Sequence, residues 1–125
     1  MGRLLNPGLG ELADRYTILQ LKILHGDPTN VQHFHAEQAQ VLMTMERHAS
    51  LNSDQVRSLI VYLRTVNGEL WTLEDQMAVY AKALLVDPPV VAALGMTIWK
   101  LNQERNQLIQ RINVAAGTDA GPEKF

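Results

Sequence analysis

Residues 53–89, SDQVRSLIVYLRTVNGELWTLEDQMAVYAKALLVDPP, decide the fold, because this long stretch contains no proline until its last two residues. Ser53 or Asn52 is a good N-cap, so a helix is predicted over Asp54–Leu85. At 1.5 Å per residue this helix is roughly 45–50 Å long. The segment Asp87–Pro89 stops it, and a second long helix is predicted over Pro89–Ala116. The C-terminal half of the chain is therefore predicted to be a long helical hairpin.

Two shorter amphipathic helices are predicted before the hairpin, over Leu9–Leu24 and Val31–His48. Their apolar residues recur at spacings of three and four, which places those residues on one face of a helix. Helices joined by short loops pack as antiparallel neighbours, so the sequence predicts an all-α fold, a four-helix antiparallel bundle. Residues 1–116 are predicted to form a single domain, and residues 117–125 a flexible C-terminal tail.

The unequal helix lengths predict a homodimer. Two helices of about 16 and 18 residues cannot cover a hairpin whose arms have about 30 residues each. Only 19% of the residues are charged, against about 25% in a typical protein, which favours a surface covered by a second subunit. The uncovered end of the hairpin would expose four apolar side chains: Val79, Leu84, Val90 and Leu94.

Composition and charge exclude several classes of protein. The net charge is −2 and the 11 Lys and Arg residues are scattered, which argues against general binding of nucleic acid. The chain has no cysteine, which excludes thiol catalysis, cysteine zinc sites and disulfides. No stretch is typical of a membrane span or of a signal peptide. We therefore expect a cytoplasmic protein that does not bind membranes.

The candidate functional residues are polar residues that the helical period places beside apolar stripes on the first, third and fourth helices. A cavity between helices is a common place for a ligand in a bundle. Arginine and lysine side chains in such a cavity would suit a phosphate or a carboxylate, and converging carboxylates would suit Mg²⁺. The candidate ligand-binding residues are Arg15, Lys22, Asn67, Trp71, Glu74, Asn102 and Arg105.

The same residues can instead form a structural network that fixes the register of the helices. Buried charges need partners, so we expect an ion pair between Glu74 and Arg105. The first helix offers further pairs between its own acidic and basic residues: Glu11 or Asp14 with Arg15 or Lys22.

Three segments of the chain carry a family resemblance. They are GELADR at 10–15 with TILQLK at 17–22, Asn67 with LW at 70–71 and LED at 73–75, and LNQERN at 101–106 with LI at 108–109 and IN at 112–113. In this order they resemble the signature of a family of small helical proteins from bacteria and phages whose function is unassigned. The resemblance implies an all-helical fold and a shared set of polar residues, and it implies no particular reaction.

Acidic pairs on two helices carry a second likeness. Glu11 with Asp14, and Glu74 with Asp75, are similar to the paired acidic motifs of the all-α nucleotide pyrophosphohydrolases of the MazG type, which are dimeric helical bundles. This likeness implies a Mg²⁺ ion held by these four carboxylates. Water bound to that metal would attack a phosphate.

Three functions from different classes follow from these patterns, and no residue is assigned to catalysis. The first is a dimeric, non-enzymatic binder of a small anionic ligand, for example a nucleotide-derived one, which needs no cofactor and contacts the anion through Arg15, Lys22 and Arg105. The second is the Mg²⁺-dependent nucleotide pyrophosphohydrolase. The third is a protein–protein interaction module in which the polar residues are purely architectural.

Overall fold

The structure, a computed structural model, describes residues 7–83 and 87–117, and within these residues the regular secondary structure is helical. The all-α prediction is therefore confirmed. The α-helices are α1 (Leu9–His25), α2 (Val31–Met45), α3 (Asp54–Lys82) and α4 (Pro88–Ala116).

The helix ends follow from local chemistry. The Ser53 hydroxyl accepts a hydrogen bond from the Val56 N–H and caps α3. Pro88 lies in the first turn of α4, where its missing N–H costs nothing. Gly117 ends α4 with a φ of 77°, a left-handed conformation that glycine adopts easily. The predicted positions of these two long helices are therefore confirmed to within a few residues at the ends that the structure describes.

The largest differences from the predicted boundaries are at the C-terminal ends of α2 and α3. The second helix ends at Met45 instead of His48, and the predicted loop after it contains a 3₁₀ turn over Ala49–Asn52. A 3₁₀ turn is a frequent connector of this kind, and its period resembles that of an α-helix over one turn. The third helix ends at Lys82, since Ala83 is already extended, so the predicted end at Leu85 is three residues too late. Leu85 itself lies outside the described residues.

Helix α1 occupies the centre of the fold. It contacts α2, α3 and α4, whereas α2 contacts chiefly α1. Helices α3 and α4 form an antiparallel hairpin, because the Tyr62 hydroxyl donates a hydrogen bond to Glu104 near one end and Gly95 lies beside Met77 near the other. Helix α1 therefore joins α2 on one side to the hairpin on the other.

Within the hairpin, the core residues lie only in the part that α1 covers. In α3 the buried residues end at Leu70, and in α4 they begin at Leu108. The imidazole of His25, the last residue of α1, lies 5.7 Å from the ring of Trp71, so α1 ends where burial in α3 ends. Beyond this point Val79 is 68% exposed. The buried residues of α3 and α4 therefore lie on one side of each helix, as predicted. Toward the loop between the two helices, however, these sides are not buried in the isolated chain.

No helix within the described residues is both long enough and apolar enough to cross a membrane.

Candidate functional site: a polar cluster between α1, α3 and α4

Four polar side chains from three helices meet beneath α1. Arg105 of α4 donates two hydrogen bonds to the Asp14 carboxylate, from Nε to Oδ1 at 2.9 Å and from Nη2 to Oδ2 at 2.6 Å. Asn67 of α3 donates from Nδ2 to Asp14 Oδ1 at 2.9 Å and to Thr17 Oγ1 at 2.8 Å. The Thr17 hydroxyl donates to the Asp14 carbonyl oxygen at 2.9 Å. We call these four residues the polar cluster.

The polar cluster is largely closed to solvent. Asp14, Thr17 and Asn67 are buried, and the Arg105 side chain is 30% exposed. The hydrogen bonds that the Arg105 guanidinium donates to Asp14 raise its pKa, and this effect exceeds the opposing effect of burial. Among the described residues, every buried side-chain nitrogen and oxygen has a hydrogen-bond partner. The cluster is thus a satisfied network, which is the arrangement that makes a buried ion pair tolerable.

A second joint fastens the N-terminus of α1 to α4. Gly8 precedes the first turn of α1 and offers no side-chain cap. Instead, Oδ1 of the buried Asn113 accepts a hydrogen bond from the Gly10 N–H at 2.7 Å. Its Nδ2 donates to Glu11 Oε1 at 2.9 Å. One amide on α4 therefore does for α1 what an N-cap side chain does within a helix.

Replacing Asn113 by alanine is expected to lower the free energy of unfolding by about 1–2 kcal/mol, because the Gly10 N–H loses its buried acceptor. Asn106 lies exposed on the same helix, so Asn106→Ala is the matched control and should change stability by less than about 0.5 kcal/mol. Urea denaturation of both variants measures the difference. Equal small effects would show that Asn113 does not cap α1.

The predicted ion pairs are wrong in their partners. Arg105 pairs with Asp14, whereas Glu74 is exposed and adds only a longer-range attraction to Arg105. Asp14 pairs across helices instead of with Arg15 or Lys22, and Glu11 bonds to Asn113. The helical period predicted that Glu74 would be buried. Glu74 is exposed because α1 ends beside Trp71, about one turn of α3 before Glu74, and so does not cover it.

The predicted ligand-binding residues do not form one cluster. Arg105 and Asn67 meet in the polar cluster, but Arg15 bonds to Glu37 of α2 and lowers the pKa of that carboxyl. Asn102 bonds to the Ile98 carbonyl of its own helix at 3.2 Å. Lys22 is 5.6 Å from the centre of the Phe34 ring, and Trp71 lies beside His25. Glu74 is exposed.

The three basic side chains that were predicted to contact an anion already interact with other residues of the chain. Arg15 holds Glu37, Lys22 lies over an aromatic ring and Arg105 holds Asp14. An anion at Arg15 or Arg105 would have to compete with the carboxylate already bound there. At Arg105 it would also meet the negative charges of Asp14 and, further away, Glu74. The predicted anion crevice therefore gains no support from the geometry.

The predicted metal ligands do not fit a Mg²⁺ site in the described part of the chain. There, no three His, Asp or Glu side chains gather in a group that could hold a metal ion. Asp14 is committed to Arg105 and Asn67, and Glu11 to Asn113. Glu74 and Asp75 lie on the exposed side of α3. The two acidic pairs therefore do not act together here, and we derive no metal-dependent step from them.

Comparison with known proteins adds no family to this picture: no protein-family model, curated protein or solved structure matches the chain. The two family resemblances of the sequence therefore stay predictions.

Proposed function

We propose that this chain is a protein–protein interaction module that associates with a second copy of itself, and that the polar cluster is the architectural joint that holds its helices together. One observation carries the proposal. The hairpin keeps its buried residues under α1, while its opposite side leaves apolar side chains open, with Val61 50% and Val79 68% exposed.

The proposed contact is the side of α3 that faces away from Asn67 and the polar cluster. Along it lie five residues at helical spacing, which we call the outer face: Val61, Thr65, Gly68, Thr72 and Val79. Its central residues line a groove of about 610 Å³ that Thr97 and Leu101 of α4 complete. A groove with small residues at its centre lets another helix approach closely.

Gly68 supports a close approach at the centre of this face. It lies in the middle of a 29-residue helix, where glycine costs about 0.5–1 kcal/mol relative to alanine. A Cβ atom at this position would meet nothing within 4 Å, so the fold of one chain does not require glycine there. A neighbouring molecule packed against the α3 backbone would require it.

The order of residues along the outer face favours a second copy as the partner. Val61 and Val79 lie nine residues before and after position 70, and Gly68 and Thr72 lie two residues before and after it. In a twofold symmetric contact between antiparallel α3 helices, Val61 would face the Val79 position of the other copy and Gly68 the Thr72 position. Thr65 would likewise lie opposite the exposed Asp75 carboxylate. Its hydroxyl, which donates to the Val61 carbonyl oxygen within one chain, would have to turn to donate to that carboxylate.

The proposed dimer contact differs from the one predicted from the helix lengths, which lay at the uncovered end of the hairpin. Val79 keeps its place in the proposed contact. Val90 is 41% exposed on α4 and Leu94 is half-buried. Leu84 lies outside the described residues. The proposed contact therefore runs along α3 toward Val61 and is not confined to the far end of the hairpin.

Substitution of Gly68 by glutamine is expected to raise the dissociation constant of the dimer by at least about tenfold, since a side chain would stand between two closely packed helices. The folded monomer should be stabilised, if anything, because glutamine favours helix and has open space at this position. Sedimentation velocity and thermal denaturation measure the two effects separately.

Ala92→Gln is the matched control, because Ala92 is exposed on α4 outside the outer face. It should leave the dissociation constant unchanged. If Gly68→Gln associates as tightly as the unmodified chain, the outer face is not the contact.

A further inference from the structure

A second groove opens between α1, α2 and α3. It exists because α2 and α3 both pack on α1 and scarcely on each other. The groove has a volume of about 410 Å³, within the range of about 300–1,000 Å³ that is usual for small-molecule sites. Residues Thr17, Gln20, Leu21 and Leu24 of α1 line it at spacings of three and four, so one face of α1 forms its floor.

The groove is polar at one end and apolar at the other. Gln38 lies near the Thr17 end, where its Nε2 approaches the Tyr16 carbonyl oxygen at 3.5 Å. Arg64 lies near the same end, since it precedes by one turn of α3 the Asn67 that bonds to Thr17. Leu24, 74% exposed, lies at the other end. From Thr17 to Leu24 the floor runs about 10 Å at 1.5 Å per residue.

The residues that line this groove include a basic side chain and no acidic one, whereas the polar cluster contains an ion pair. Within the described part of the chain, the Arg64 side chain makes no ion pair or hydrogen bond, in contrast to those of Arg15 and Arg105. None of the described residues that line the groove is acidic, and His35 adds an imidazole on the α2 wall. An uncommitted guanidinium without a competing carboxylate is an arrangement that suits an anionic headgroup.

We propose that this groove binds an amphipathic carboxylate, an organic acid with an unbranched apolar tail. The carboxylate accepts hydrogen bonds from the Arg64 guanidinium, with Gln38 as a further donor at the same end. The tail lies along Leu21 toward Leu24 and removes their apolar surface from water. This binding site is separate from the outer face and does not depend on self-association.

Titration of the ¹⁵N-labelled chain with octanoate, followed by NMR, tests the proposal. Shifts are expected at the amides of Gln20, Leu21 and Leu24. Octan-1-ol, which has the same tail and no charge, should bind at least about tenfold more weakly, since a charge-assisted hydrogen bond contributes about 1.5–3 kcal/mol. Arg64→Met, which keeps most of the apolar stem, should weaken octanoate binding by a similar factor.

Arg111→Met is the control, because Arg111 is an exposed arginine of α4 that lines a different groove, between α3 and α4. It should leave octanoate binding unchanged. Three results would overturn the proposal: no octanoate binding, equal binding of octanol, or unchanged binding in Arg64→Met. A fourth would be a loss of the dimer in Leu24→Glu, which would show that a second copy covers this groove.

Discussion

Replacing Arg105 by leucine is expected to lower the free energy of unfolding by about 3 kcal/mol. The substitution leaves the Asp14 carboxylate buried without its cationic partner, and breaking a buried pair in this way costs about 3–5 kcal/mol. The expected loss lies at the low end because the Arg105 side chain is 30% exposed and that of Asp14 is 12% exposed. A loss of this size is a large share of the total stability of a small domain, which is about 5–15 kcal/mol.

A second substitution separates the orphaned charge from lost packing. In Asp14→Asn/Arg105→Leu the buried carboxylate is gone, while the amide oxygen can still accept from Asn67. This double variant is expected to recover at least about 1 kcal/mol of the loss. Arg111→Leu, on the same helix, should cost less than about 0.5 kcal/mol. Denaturant unfolding of the three variants measures the series, and an Arg105→Leu that is no less stable than Arg111→Leu would contradict an architectural role for the polar cluster.

Gly10→Ala is expected to destabilise the chain by about 2–3 kcal/mol. A Cβ at Gly10 would overlap the Ile109 carbonyl oxygen of α4. Because that atom belongs to the backbone, the contact is relieved only by moving α1 away from α4, which loosens the Asn113 cap and the nearby core. The direction of the effect is diagnostic, since the same substitution elsewhere in a helix stabilises by about 1 kcal/mol.

Gly95→Ala is the matched control for this contact. Its Cβ would meet only the flexible end of Met77, at the ordinary distance of 3.8 Å. We expect it to be neutral or to stabilise the chain by up to about 1 kcal/mol. Thermal and denaturant unfolding compare the two alanines. If both substitutions stabilise the chain, α1 does not approach α4 as closely as described.

The sequence predicted the helices well, because caps, prolines and the 3.6-residue period act locally. It also placed Asn67 and Arg105 on the inward sides of their helices. It could not choose the partner of Arg105, since Asp14 and Glu74 are equally suitable acids and only the end of α1 at His25 decides between them. The helical period predicts the face of the helix on which a residue lies, but it does not predict which other helix packs against that residue.

The sequence did not predict that Asn113 caps α1, and it did not single out the Arg64 side chain of the proposed carboxylate site. A signal for Asn113 existed, because a helix that starts after Gly8 without a capping side chain needs an acceptor from elsewhere. No pattern pointed to Arg64. The groove beside Arg64 exists because α2 packs on α1 and scarcely on α3. This arrangement of the helices is a property of the tertiary fold.

Sedimentation equilibrium of the unmodified chain tests the central claim, self-association through the outer face, most directly. The proposal predicts a molar mass of twice the 14.0 kDa of one chain, which falls toward 14.0 kDa on dilution. In Gly68→Gln the same fall should occur at a concentration at least about tenfold higher. A mass of 14.0 kDa for the unmodified chain at every concentration up to the limit of solubility would contradict the account.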